Sequence, residues 1–288
     1  MTSDSPRVYL LDVEGTTSPV SLVSEQLFPY ARKHLAGYLR EHWNEPETRA
    51  DVALLVQENR AETDPLCPGI GLNLKMLEGS LNRTELTEGH PAGAKARIDV
   101  PGLMPGMNPQ PTSEADAAYA SLSVADEAVD YLLWLMDRDR KSTALKSLQG
   151  RIWKSGYEAG ELVGTVFPDV AGAFARWSKM AKVAIYSSGS VEAQKLIFRY
   201  SSAGDLTPFI TSYFDTRTGA KTSADSYRAI AAAMGVATSE ILFVSDLLRE
   251  LDPAREAGCQ TRLSVREGNQ PVPDLHGHVA VRSLAEIF

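Results

Sequence analysis

Two acids follow the first apolar segment of the chain, and their spacing could support catalysis. Val8–Leu11 is an apolar run typical of a short buried β-strand, and Asp12 and Glu14 come after it. Side chains two residues apart point to the same side while a strand persists. Two carboxylates held together repel unless a cation or a shared proton relieves them. The pair is typical of a carboxylate nucleophile with an acid–base partner beside a metal, although an acidic turn is the alternative that this segment leaves open.

A second apolar run is followed by hydroxyl groups instead of acids. The strand predicted over residues 182–186 precedes Ser187 and Ser188, and a helical pattern begins soon after them. Hydroxyls and free backbone N–H groups at a helix start favour an anion such as phosphate. The segment therefore predicts an anion site, and turn hydroxyls without a ligand are the alternative for each serine.

A lysine and a further acid complete the set. Lys221 lies in a polar loop before another predicted helix, with Arg217 nearby as a competing cation. The apolar run 241–244 predicts a buried strand, and Asp246 follows its end. Ligands of open α/β sheets bind at the carboxyl ends of the strands, so these groups can converge on a phosphoryl group and a divalent ion. Glu250, farther along, is interpreted as a supporting or helix-capping acid.

The order of acid, hydroxyl, cation and acid resembles the haloacid dehalogenase superfamily, whose phosphatases use an aspartate nucleophile, a Ser/Thr, a Lys/Arg and a final acidic motif. Within it, the chain looks like the enolase-phosphatase family of methionine salvage, because Glu14 stands in place of the usual second aspartate. The resemblance covers roughly residues 7–60 and 120–265. Three further segments carry it: Leu27–Tyr30, Asp139–Lys146 and Tyr186–Lys195.

The resemblance implies a magnesium site and a covalent mechanism. Mg²⁺ would be held by Asp12, the main-chain carbonyl of Glu14 and Asp246, since hard oxygen ligands suit this ion. Asp12 would attack phosphorus and form an aspartyl-phosphate. Glu14 would protonate the leaving oxygen and then take a proton from the attacking water; a non-catalytic capping acid is the alternative for Glu14.

The same resemblance assigns the remaining groups to substrate binding. Ser187 and Ser188, with backbone N–H groups around Gly189, would hold the phosphoryl oxygens. Lys221 would neutralise the negative charge of those oxygens. One serine alone can serve this purpose, and a solvated loop cation is the alternative for Lys221.

Members of the family perform two chemical steps. They enolise 2,3-diketo-5-methylthiopentyl 1-phosphate and then remove its phosphate to give the acireductone 1,2-dihydroxy-3-keto-5-methylthiopentene. The nearest alternative is a Mg-dependent phosphatase of the same superfamily that acts on another small phosphorylated metabolite. A hydrolytic dehalogenase also uses an aspartate nucleophile, but the Asp12–Glu14 pair and Asp246 count against it. A non-enzymatic binding protein is disfavoured because every catalytic position is filled.

Composition narrows the class of protein. The chain has 288 residues, 43% of them hydrophobic, and a net charge of −8, so it can bury one core plus a smaller domain. The negative charge disfavours a nucleic-acid groove or a polybasic membrane surface. Residues 1–6 lack a signal-peptide pattern, and Cys67 and Cys259 are far apart, which indicates a reducing compartment. We expect a cytoplasmic monomer, also nuclear if eukaryotic, that binds a small phosphorylated diketone but neither nucleic acid nor membrane.

The spacing of the motifs predicts an inserted domain. Far more chain separates the first two motifs than a βα connection needs. Alternating helices and apolar strands near the carboxyl terminus predict an α/β fold with a doubly wound parallel sheet and an inserted, mainly helical cap. We expect residues 1–18 and 165–288 to form the core and 19–164 the cap, with a partly disordered Pro/Gly-rich insertion at about 63–115.

Capping residues predict several helix starts. Ser123 and Ser142 are expected to begin two helices of the cap, and Ser190 to begin one of the core. Asp252–Pro253 is typical of an N-cap followed by the first helical residue.

Overall fold

The computed structural model describes residues 5–70 and 114–288. Strands of this part form one parallel six-stranded sheet, and all its pairings are parallel. They are β1 (Val8–Leu11), β2 (Lys182–Tyr186), β3 (Ser212–Phe214), β4 (Ile241–Ser245), β5 (Gln260–Ser264) and β6 (Val279–Val281). Their order is β3-β2-β1-β4-β5-β6, so the chain winds from the centre to one edge and then to the other. The predicted doubly wound α/β fold is confirmed.

The central strand β1 is apolar on both of its faces. Tyr9 and Leu11 belong to one hydrophobic cluster. Val8 and Leu10 belong to a second cluster on the opposite face, as the alternation of strand side chains requires. Tyr9 also stacks on Trp177, with ring centroids 4.2 Å apart. Because burial fixes β1 from both sides, the residues after Leu11 are held at a defined place on the sheet edge.

Helices connect the strands, and two of the predicted caps are confirmed. The Ser142 hydroxyl accepts the Leu145 N–H at 3.0 Å, and the Ser190 hydroxyl accepts the Ala193 N–H at 3.2 Å. The α-helices of the described part are α1 (Phe28–Glu41), α2 (Pro46–Ala61), α3 (Glu114–Asp137), α4 (Thr143–Glu158), α5 (Val170–Trp177), α6 (Val191–Arg199), α7 (Ala224–Met234) and α8 (Leu248–Glu256). Shorter turns of helix are a π-helix at Leu22–Leu27 and 3₁₀ turns at Thr207–Phe209, Thr238–Glu240 and Leu284–Glu286.

Two other predicted caps are wrong. Ser123 lies inside α3, because the alanine-rich residues before it favour a helix that begins earlier. Asp252–Pro253 lies inside α8, which begins at Leu248. Pro253 costs the helix a hydrogen bond, but Leu251 and Ala254 on the same helix are fully buried, so packing outweighs the local preference.

Contacts between Cα atoms divide the described residues into two compact units. One contains the chain up to Lys33 together with Gly150–Phe288, and thus the whole sheet; the other lies within His34–Gln149, where α2 and α3 contact each other. The domain boundaries expected at residues 18 and 165 stay a prediction, and most of the insertion expected at about 63–115 lies outside the described residues. No helix of the described ranges combines the length and apolar composition that a membrane span requires.

Candidate active site

The carboxyl ends of three neighbouring strands meet at one edge of the sheet. Leu11 pairs with a residue of β2 on one side and with Val244 of β4 on the other. The Asp12 N–H extends this ladder by donating to the Val244 carbonyl at 3.0 Å. The structure therefore brings the residues after these strands to one edge, among them the predicted Asp12, Ser187 and Asp246.

The Asp12 carboxylate is buried, and its two oxygens differ in their contacts. Oδ1 accepts the Val13 N–H at 2.7 Å and lies 2.6 Å from Lys221 Nζ. Oδ2 lies 3.4 Å from the Ser245 hydroxyl, which is a weak contact. Donors thus orient the carboxylate through Oδ1 and leave the lone pairs of Oδ2 more available to an electrophile or a cation.

Lys221 lies between two carboxylates. Its Nζ is 2.6 Å from Asp12 Oδ1 and 2.6 Å from Glu250 Oε2, and its side chain is 7% exposed. Burial lowers the pKa of Lys221, but the charges and hydrogen bonds of the two acids outweigh burial and raise it, so the amine stays protonated. The competing cation, Arg217, is exposed and pairs with Asp215 at 2.8 Å. Lys221 is therefore the cation that the fold places beside Asp12.

Glu250 belongs to the site, although the sequence motifs assign it only a supporting or helix-capping role. It lies on α8, one helical turn beyond Asp246, and its Oε2 accepts the Ser245 hydroxyl at 2.9 Å. The Tyr227 hydroxyl lies 2.7 Å from the Lys221 carbonyl and 2.9 Å from the Glu250 carbonyl, so it ties the two main-chain segments together. The sequence pattern that could have identified Glu250 is an acid in the first turn of the helix that follows Asp246.

Gly15 lets the first and last acidic motifs approach each other. Its φ is +66°, and a Cβ at this position would overlap the Asp246 carboxylate, so glycine meets both requirements. Burial, followed by the charges of Asp12 and Glu250, raises the pKa of Asp246 to about 7. Part of the Glu14 side chain is exposed. Burial of its carboxyl group, followed by the charge of Asp12, nevertheless raises the pKa of Glu14.

The site contains more negative than positive charge. Four acids, Asp12, Glu14, Asp246 and Glu250, lie near the single ammonium group of Lys221, which contacts Asp12 and Glu250. Burial first, and then the negative charge of neighbouring acids, raises the pKa of Glu14, Asp246 and Glu250. A divalent cation with oxygen ligands fits such a donor set. In residues 5–70 and 114–288, no three His, Cys, Asp or Glu side chains are grouped to hold a metal by themselves. A cation on two of these carboxylates would therefore need a main-chain carbonyl, water or substrate oxygen as well.

The segment after β2 differs from the acidic part of the site in its exposure. Ser187 is buried and accepts the Gly189 N–H at 3.1 Å, whereas Ser188 and Gly189 are exposed. The Gln194 amide donates to the carbonyls of Gly189 and Phe214, both at 2.9 Å, and so fixes the loop against β3. Both predicted serines thus lie at the expected sheet edge, in front of α6.

Comparisons with known proteins agree with this geometry. A family model of haloacid dehalogenase-like hydrolases matches residues 6–258. Enolase-phosphatase E1 of Synechococcus elongatus is 44% identical over 264 residues, which cover 91% of this chain and 90% of the relative. Enolase-phosphatase E1 of Branchiostoma floridae is 38% identical over 291 residues, with 99% and 84% covered. The chain belongs to the enolase-phosphatase E1 family of haloacid dehalogenase-like hydrolases. The resemblance drawn from the sequence motifs is confirmed.

A solved structure supports the fold. The UTR4 protein (Unknown transcript 4 protein) of Saccharomyces cerevisiae aligns with this enolase-phosphatase E1 family member at a TM-score of 0.62 and 30% identity. The alignment covers 97% of this chain and 98% of the yeast chain. The family model and the enolase-phosphatase E1 relatives together make the protein an enzyme of the phosphatase type, as the sequence motifs predicted.

Proposed function

We propose that this protein enolises 2,3-diketo-5-methylthiopentyl 1-phosphate and then dephosphorylates it to the acireductone 1,2-dihydroxy-3-keto-5-methylthiopentene, as a monomer in methionine salvage. One observation carries the proposal: Asp12 is buried at the end of β1 with Lys221 at 2.6 Å, in a chain 44% identical to an enolase-phosphatase E1. A buried carboxylate oriented by a cation is the form in which a carboxylate can serve as a nucleophile for phosphorus.

Magnesium is the proposed cofactor. Asp12, the main-chain carbonyl of Glu14 and Asp246 would hold it, and the excess negative charge around Asp246 supports this assignment. When bound, the ion would supply positive charge that stabilises a developing enolate or phosphoryl oxygen.

Phosphoryl transfer is assigned to Asp12 and its neighbours. Asp12 would form a bond to phosphorus while the bond from phosphorus to the C1 oxygen breaks, and Glu14 would protonate that leaving oxygen. Lys221, Ser187 and the N–H groups after β2 would hold the equatorial phosphoryl oxygens. In the second half-reaction Glu14 would take a proton from water, which attacks phosphorus and returns Asp12 to its free form.

Enolisation needs a base near C1 of the substrate, and Glu14 is our candidate. Ionised Glu14 would remove a proton from C1, while the C2 carbonyl oxygen gains one from solvent and becomes the enol hydroxyl. Glu14 would then hold the proton that the leaving oxygen requires in the next step. The raised pKa of Glu14 supports this sequence of steps, because the protonated form is easier to populate than in an ordinary glutamate.

The test follows both products of the diketo substrate. Wild-type protein with Mg²⁺ should give a transient enol absorbance and then phosphate, and EDTA should abolish phosphate release. Glu14→Gln should lose both steps if Glu14 is the base, whereas an enol that accumulates without phosphate would assign the base elsewhere.

Simple phosphate esters serve as the control substrates. Faster turnover of such esters than of the diketo phosphate would contradict the proposed substrate and favour another phosphatase of the superfamily. Phosphate release that survives EDTA would contradict the magnesium assignment.

A further inference from the structure

The last residue of β5 and the loop beyond it hold the main chain of the first acidic motif. The carbonyl of Gly15 accepts the Ser264 hydroxyl at 2.9 Å and the Asn269 side-chain amide at 2.9 Å. The next carbonyl, of Thr16, accepts the Arg266 guanidinium at 3.2 Å. Two consecutive carbonyls of the nucleophile loop are therefore fixed by one short segment that contains none of the predicted catalytic residues.

These bonds also fix the peptide group in front of Gly15. The Gly15 N–H donates to the Ser18 carbonyl at 2.8 Å, while its own carbonyl is held by the loop beyond β5. The Glu14 carbonyl shares a planar, trans peptide group with the Gly15 N–H, so it points away from Ser18. The direction of that carbonyl is consequently set from both ends of Gly15.

The Asn269 amide has a defined orientation. Its Nδ2 donates to the Gly15 carbonyl and, at 3.2 Å, to the Ser264 carbonyl, so nitrogen must face these two acceptors. Oδ1 then faces the other way, and it is buried without a hydrogen-bond partner among the described residues. It lies 2.8 Å from the position that a Cβ on Gly15 would take, and Asp246 Oδ2 lies still closer to the same position, so both oxygens border the gap beside Gly15.

A buried acceptor beside a carboxylate needs a donor between the two oxygens. The hydrogen atoms of water around a divalent cation are such donors. We infer that Asn269 is a positioning residue of the divalent-cation site: Nδ2 holds the Gly15 main chain, and Oδ1 accepts a hydrogen bond from the hydration shell of the cation beside Asp246. The inference rests on the proposed function, because it assumes a cation at Asp246.

Direct titration of Mg²⁺ into metal-free protein, followed by calorimetry, tests the inference without a catalytic assay. Asn269→Ala should weaken Mg²⁺ binding about tenfold or more, since partners of metal ligands typically contribute 10–100-fold to affinity. Ser264→Ala is the matched control, because it removes one donor to the Gly15 carbonyl and leaves Oδ1 in place. Its Mg²⁺ affinity should change less than about threefold by the same reasoning.

The outcomes separate this inference from the function on which it rests. If wild-type protein fails to bind Mg²⁺, the cation assignment and the inference both fail. If wild-type protein binds Mg²⁺ and Asn269→Ala binds it equally well, or if Ser264→Ala weakens binding as much, the inference alone is overturned. Should Asn269→Ala not fold, Asn269→Ser replaces it, because the serine hydroxyl ends one bond short of both amide atoms.

Discussion

The two halves of the site are built in opposite ways. On the β1–β4 side, Asp12, Lys221 and Glu250 are buried and joined by contacts of 2.6 Å. On the β2 side, Ser187 is buried, but the next two residues, Ser188 and Gly189, are exposed to solvent. The charges that act on phosphorus are therefore arranged before the substrate binds, while part of the loop that receives the anion stays open to solvent.

The loop beyond β5 extends this contrast. It braces the acidic side through the carbonyls of Gly15 and Thr16, and Arg266 of that loop is itself held by Asp169 at 2.9 Å. The acidic side therefore depends on residues from several distant segments. The β2 side depends on its own turn, on the neighbouring Gln194 amide and on the adjacent strand β3.

Loss of the nucleophile should give the largest effect. Asp12→Asn keeps the size of the side chain but removes the charge that attacks phosphorus, so phosphate release should fall at least about 10³-fold. The protein should still fold, because Lys221 keeps its contact with Glu250. Phosphate assays at saturating Mg²⁺ and thermal melts measure the two quantities, and retention of a tenth of the activity would refute the role of Asp12.

Removal of the buried cation should damage both stability and rate. Lys221→Met leaves two buried carboxylates without their partner, so the free energy of unfolding should fall by about 3 kcal/mol and phosphate release by about 10²-fold. Urea unfolding measures the first quantity. Lys221→Met combined with Glu250→Gln should recover much of the stability and none of the activity.

Arg217→Met is the matched control for that experiment. Arg217 is exposed and lies in the same loop, although its partner Asp215 is buried, so its loss should lower the free energy of unfolding by about 1 kcal/mol, well below the loss at Lys221. If Lys221→Met and Arg217→Met lowered the free energy of unfolding equally, the predicted difference between the buried and the exposed cation would be wrong.

Substitutions of the serines after β2 should weaken substrate binding and leave the free energy of unfolding almost unchanged. Ser187→Ala should raise KM about tenfold, because a hydrogen bond to a charged phosphate is lost, and Ser188→Ala should raise it less. Both variants should unfold within about 1 kcal/mol of wild type. Steady-state kinetics with the diketo phosphate measure KM, and urea unfolding measures stability. A loss of stability as large as that of Lys221→Met would contradict the difference between the two halves of the site.

The smallest effect that we predict is a loss of stability at the ion pair between Arg266 and Asp169. Burial raises the pKa of Asp169, but hydrogen bonds from Arg266, the Leu284 N–H and Ser283, with the charge of Arg266, outweigh it and lower that pKa. A carboxyl with a lowered pKa in the folded state stabilises the protein above its ordinary pKa and loses this contribution as the pH falls through the lowered value. Asp169→Asn should thus be less stable than wild type by about 1 kcal/mol at pH 7.

The same difference should disappear in acid. Urea unfolding of wild type and Asp169→Asn at pH 7 and at successively lower pH values below about 4 provides the measurement. A difference that stays constant across this range would show that the stabilisation does not come from the ionised carboxyl.

Sequence patterns predicted the strands that carry the site and most of its residues. β1, β2 and β4 are continuous apolar runs, which is the pattern of strands buried on both faces, and the residues that follow them therefore had to lie on the rim. Lys221 could be identified from the order of motifs, but its choice over Arg217 needed the fold. Only the fold shows that one is enclosed and the other solvated.

Interactions between distant segments were beyond the sequence patterns. The partners of Lys221 and of the Gly15 carbonyl come from α8 and from the loop beyond β5, and no periodicity links these segments. Local rules also failed where packing decided the outcome. Asp252–Pro253 has the preference of a helix start, yet the burial of Leu251 extends α8 in front of it.

The central position of β1 also determines when the active site can form during synthesis of the chain. Asp12 touches Ser245, a residue 233 positions later, and β1 has β2 and β4 as its two neighbours. During synthesis β1 must therefore wait for its second neighbour, with the apolar side chains on that side unmatched, until the 233 positions that separate Asp12 from Ser245 have been added. Such long-range pairing makes folding slow and leaves the nascent chain dependent on protection from aggregation. No truncated product that stops before β4 can assemble a working centre.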